Sequence, residues 1–91
     1  MKYMVTYSLT YDTFKERAER FLETGGKPPA GVEMKGRWHS VSGARGWVLV
    51  STSDARALYR WIGQWADLMD FEVDAVLEDA DVAQVLQEAR A

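Results

Sequence analysis

The only histidine of the chain, His39, lies in a short stretch that also carries Arg37, Trp38, Arg45 and Trp47. An imidazole titrates near pH 6.5 and exchanges protons at neutrality, so His39 is the candidate general acid or base. Arg37 and Arg45 have the forked donors that recognise a carboxylate or phosphate, and Trp38 and Trp47 offer flat apolar contact to a ligand. Tyr7, Tyr3 and Tyr59 are further candidates for lining a cavity. Each of these side chains also has a plainer structural use. The imidazole can be bonded at a sheet edge, the arginines solvated or paired with acidic residues, and the aromatic rings packed. No acidic partner for His39 is set by local spacing.

Composition removes several other chemistries. With no cysteine there is no disulfide, thiolate metal site or thiol nucleophile, and one histidine excludes a two-histidine metal site within one chain. A haem held through His39 has a possible axial ligand but no second supporting feature, so no cofactor and no metal are expected. There is no Walker loop, dinucleotide glycine fingerprint or Gly-x-Ser-x-Gly elbow. A net charge of -3 argues against a general nucleic-acid partner, which needs a positive surface. No apolar run approaches the ~20 residues that cross a membrane, and the opening Met1-Lys2 lacks a secretory signal pattern. A soluble cytoplasmic protein without a membrane partner is the expectation.

These residues need a scaffold, and 91 residues at 47% hydrophobic content suffice for one domain, residues 1–91. Lys2 to Leu9 alternates in period two, with Tyr3, Val5 and Tyr7 on one face, and reads as a strand. From Tyr11 the period becomes helical, placing Tyr11, Phe14, Ala18, Phe21 and Leu22 on one side. Thr10 with a Leu9–Phe14 staple, or a Thr13–Glu16 capping box, can start this helix. Gly25 and Pro28-Pro29 end it. Glu33–Val41 and Arg45–Ser51 then read as a hairpin around Ser42-Gly43.

A second helix starts near Ser53 or Asp54, with Leu58, Trp61, Ile62, Trp65, Leu68 and Met69 as its apolar stripe. Gly63 falls off that stripe, where close approach of another backbone would explain it. Phe71 to Glu78 alternates as a fourth strand with an acidic face. Asp79 and Asp81 open a last helix carrying Val82, Val85, Leu86 and Ala89.

The order strand, helix, strand, strand, helix, strand, helix predicts an α+β, ferredoxin-like βαββαβ fold with an added C-terminal helix. Its four-stranded antiparallel sheet has the order 4-1-3-2. Helices cover one face of such a sheet, yet strand three is apolar on both faces and strand one nearly so. That pattern predicts a homodimer formed through the other sheet face. Lys35, Arg37 and His39 on strand two and Glu72, Asp74 and Glu78 on strand four supply opposite charges for it.

Hairpin register decides which side chains meet. An even loop puts Trp38 with Trp47 and Leu49, and His39 with Gly46, Val48 and Val50. An odd loop gathers Arg37, His39, Arg45 and Trp47 into one anion-attracting aromatic pocket.

Several segments carry a family resemblance: Gly36-Arg37-Trp38-His39-Ser40, Arg45-Gly46, the Ala57-Leu58-Tyr59-x-Trp61-x-x-x-Trp65-x-Asp67-Leu68 run, and Phe71-Glu72-Val73. Met1 to Thr6 and Phe21 to Gly25 add to it. Over nearly its whole length the chain resembles the small bacterial domains of unknown function catalogued as family 3303, associated with the dimeric α/β barrel superfamily. The resemblance implies that fold and dimerisation, and no particular chemistry. The resulting expectation is a homodimeric domain binding a small anionic or aromatic molecule between sheet and helices. Arg37 and Arg45 would recognise charge, Trp38 and Trp47 would supply apolar contact, and His39 would exchange protons if chemistry occurs. A non-catalytic assembly module is the alternative.

Overall fold

Residues 1–90 are described by a computed structural model. The alternation in the first segment becomes β1, Lys2–Ser8, which is followed by a 3-10 turn at Tyr11–Thr13 and helix α1, Phe14–Thr24. Strands β2, Val32–His39, and β3, Arg45–Thr52, form the hairpin. Helix α2, Ala55–Gly63, strand β4, Asp70–Val76, and helix α3, Asp79–Arg90, complete the chain. All strand pairs are antiparallel and the sheet order is β2-β3-β1-β4, which is the expected order read from the other edge. The architecture is α+β and compatible with a ferredoxin-like arrangement. No helix among the described residues is long and apolar enough to cross a membrane.

The core lies between one sheet face and the first two helices. Val5, Tyr7, Val48 and Val50 project from the central strands onto Ala57, Leu58 and Trp61 of α2 and onto Trp65 beyond it, with Phe21 of α1 packed alongside. Asp54 starts α2 as expected, its carboxylate accepting from the amides of Arg56 at 3.0 Å and Ala57 at 3.2 Å. Gly25 ends α1 in the left-handed region at φ 72°, its N–H bonding Phe21 O at 2.7 Å.

Three local expectations are corrected. Neither threonine caps α1: Thr13 Oγ1 donates to Leu68 O at 2.9 Å, tying the start of the helix to the segment after α2, and Thr10 bonds Asp12. The expected apolar side of α1 holds only in part: Phe21 packs against the core, whereas Tyr11 is 94% and Leu22 83% exposed. The 3-10 turn delays the helix to Phe14, and the face that meets the core carries Arg17 and Phe21. Gly63 is the last residue of α2, and a Cβ there would meet nothing within 4 Å, so no close backbone approach explains it.

The hairpin loop has even parity. Ser40 N–H bonds Arg45 O at 2.8 Å, leaving Val41–Ala44 as the loop, and Trp38 stands directly opposite Trp47 with His39 opposite Gly46. A register shift between Met34 and Gly36 marks a bulge at Lys35. Lys35 therefore leaves the phase of Arg37 and His39 and bonds Glu33 at 3.0 Å, which corrects the grouping of these three cations on one face.

Candidate functional site

Even parity in the hairpin and the cross-strand register bring three of the six predicted site residues together. Tyr7 on β1, Gly46 on β3 and His39 on β2 lie in one line across the sheet, with Arg37 opposite Val48 one step along. Tyr7, His39, Arg37 and Val48 face the helices, where they line a cleft with Arg17 and Phe21 of α1. The other three, Trp38, Arg45 and Trp47, project from the opposite sheet face and do not reach the cleft. There Trp38 is 55% exposed and the Arg45 guanidinium sits over the Trp47 ring, 5.8 Å from its centroid. Tyr3 packs against the core outside the cleft and Tyr59 points outward.

Gly46 is what lets Tyr7 and His39 meet. β3 separates their strands, and the Tyr7 ring crosses directly over Gly46, where any Cβ would overlap it. The Tyr7 hydroxyl thus reaches His39 Nδ1 in a short hydrogen bond, with the rings in edge contact at 6.1 Å. Phe21 makes a second edge contact with the imidazole at 5.7 Å. Tyr7 is buried and His39 stands at the rim with its outer edge in solvent.

Electrostatics in the cleft run one way. Burial, then the Arg37 and Arg17 charges, hold the His39 pKa below its ordinary value, so the imidazole is neutral at pH 7. Burial raises the Tyr7 pKa, against an opposing pull from the same two arginines. The neutral phenol donates to Nδ1 when His39 carries its proton on Nε2.

Arg37 is fixed by the loop after α1. Its Nη1 donates to Gly26 O at 2.8 Å and Nη2 to Gly25 O at 3.0 Å, while the guanidinium covers the Phe21 ring at 4.9 Å. Gly26, at φ 57°, has no room for a Cβ beside Arg37 Nη1. Arg17 donates to Gly43 O at 3.2 Å, and its Nε is buried without an acceptor in the protein. The indole Nε1 of Trp61, also in the lining, is buried in the same condition.

No carboxylate lines the cleft, and neither Arg17 nor Arg37 has a carboxylate partner among the described residues. The rest of the wall is apolar, including Val5, Val48, Ile62, Trp65, Met69 and Phe71. Its unfilled space is about 500 Å³ with the open mouth included, but only about 60 Å³ admits the centre of a water molecule. The deep part therefore suits a small head group, and a larger body must lie in the mouth or displace side chains.

Sequence reasoning missed Arg17 and Trp61 as cleft residues. Arg17 lies in a run of charged residues that reads as a solvated helix face, and Trp61 reads as core. No group of three or more potential metal ligands occurs among the described residues.

An open antiparallel sheet with its first two helices on one face and a cationic, apolar-walled cleft beneath them defines an α+β domain. More particularly, the family model for a domain of unknown function, DUF3303, matches residues 1–90, and the chain belongs to that family. No curated protein and no solved structure matches the sequence.

Proposed function

We propose that this domain binds a small molecule with an apolar body and an anionic head, the head lodged between Arg17, Arg37 and the Tyr7–His39 pair. The observation that carries the reading is the pair of buried N–H donors in the cleft wall, Arg17 Nε and Trp61 Nε1, that lack any acceptor in the protein. A buried donor left unbonded costs about 1–3 kcal/mol, so an oxygen supplied by a ligand would bind with that penalty relieved. Two guanidinium charges without a carboxylate nearby favour that oxygen being anionic. If chemistry accompanies binding, the Tyr7–His39 pair is the proton donor or acceptor beside the head.

Calorimetric titration with 4-phenylbutyrate, and with 4-phenylbutan-1-ol as its neutral counterpart, tests the reading. The carboxylate should bind at least about 10-fold more tightly than the alcohol, and Arg17→Met should remove about 10-fold of that affinity. No heat from either compound at millimolar concentration, or equal binding of both, would count against it.

A second reading, assembly as a homodimer through the sheet, is favoured by a separate observation. Met4, Trp38, Trp47 and Leu49 lie on the sheet face away from the core and are only partly covered by their own chain. The two readings concern opposite faces of the sheet and are compatible.

A further inference from the structure

We propose that α3 is an arm for a second copy of this chain, and that its Val82, Val85 and Leu86 lie across the partner's uncovered sheet face over β2 and β3. The proposal rests on the homodimer reading and adds what covers that face.

Helix α3 buries no residue against its own chain. Val82 is 41%, Val85 55% and Leu86 59% exposed, and their spacing puts them on one side of the helix. A helix of 12 residues is marginal in water by itself and gains its stability from packing an apolar face. The shape of the chain agrees: its radius of gyration is 15.5 Å and its long axis 54 Å, where a compact chain of this length has a radius of about 12 Å. Helix and sheet therefore each present an apolar surface that their own chain leaves open.

Charge selects the occupant and the half of the sheet. Asp79, Asp81 and Glu88 outweigh Arg90, so α3 is acidic. Strand β4 carries Asp70, Glu72 and Asp74 on the uncovered face and repels such a helix. Over β2 and β3 the same face offers Trp38, Trp47 and Leu49, with Arg45 free of any carboxylate among the described residues. A second copy supplies both missing surfaces at once, because a two-fold axis places each arm on the other protomer's sheet and closes the assembly.

The absence of cysteine makes the test direct. Val85→Cys and Leu49→Cys variants, co-expressed as two chains and oxidised, should form a disulfide-linked pair, whereas Val85→Cys with Asp74→Cys should form far less. Val85→Glu, at an exposed position that leaves the monomer fold intact by circular dichroism, should shift the native mass from twice the 10.3 kDa chain to one chain. A native dimer that Val85→Glu leaves intact, or one without the Val85–Leu49 link, would overturn the arm and leave the dimer standing. A native monomer would overturn both.

Discussion

Gly46 decides the geometry of the cleft by having no side chain. Its place between Tyr7 and His39 in the register lets an aromatic ring lie across β3, and the two polar atoms meet only because that crossing is open. Gly46→Ala should cost about 1–3 kcal/mol in urea denaturation through overpacking. The same substitution should separate Tyr7 from His39, visible by NMR as a changed titration of the imidazole. His39 also sets a pH dependence. Its folded pKa lies below its unfolded value near 6.5, so as pH falls through 6.5 the unfolded chain takes the proton first. Stability is therefore lost as pH drops from about 6.5 towards the depressed folded value, and is regained above it. His39→Gln should flatten that part of the stability–pH curve, and an unchanged slope would place its origin elsewhere.

Among the elements, boundaries set by local chemistry behave as local chemistry requires. The Asp54 cap rests on two amide bonds within its own first turn, and Asp54→Ala should cost about 1 kcal/mol of thermal or urea stability. At α1 a distant segment intervenes. Thr13 leaves its capping role for Leu68 O, and Arg20 reaches Asp67 through two 2.9 Å bonds and Gln64 O through a third. Its bond to Arg20 holds the Asp67 carboxyl below the usual carboxylate range. Helix α1 lies with Arg17 and Phe21 towards the sheet and Leu22 towards solvent. Helical periodicity identifies a face, but the residues that face meets, His39 and Arg37 at Phe21 and Gly43 at Arg17, belong to other elements of the chain.

At the scale of the molecule, the sheet divides two roles. One face, with the first two helices, forms the core and the cationic cleft; the other, with α3, is left for a partner under the dimer reading. Dimerisation couples folding to association, so the thermal midpoint should rise with protein concentration in differential scanning fluorimetry. Leu49→Glu should abolish that rise. A midpoint independent of concentration across a 100-fold range would count against the dimer. The opposed charges on which face-to-face pairing was expected to rest are reduced, since Arg37 and His39 turn inward and Glu78 pairs with Lys2.

Element order, strand order and the identity of the core strands were legible in the residues, because alternation, helical spacing, a left-handed glycine and an aspartate cap are encoded within a few positions of where they act. The membership of the cleft was not. Period-two alternation assigns faces only relative to its own strand, and the parity of the Val41–Ala44 loop and the bulge at Lys35 relate one strand to the next. The sequence by itself determined a hairpin bearing His39, two arginines and two tryptophans. Only the tertiary structure decided that Tyr7, Arg37 and His39 look into the core with Arg17 while Trp38, Arg45 and Trp47 look away, because a side chain's face is settled by how its strand is paired.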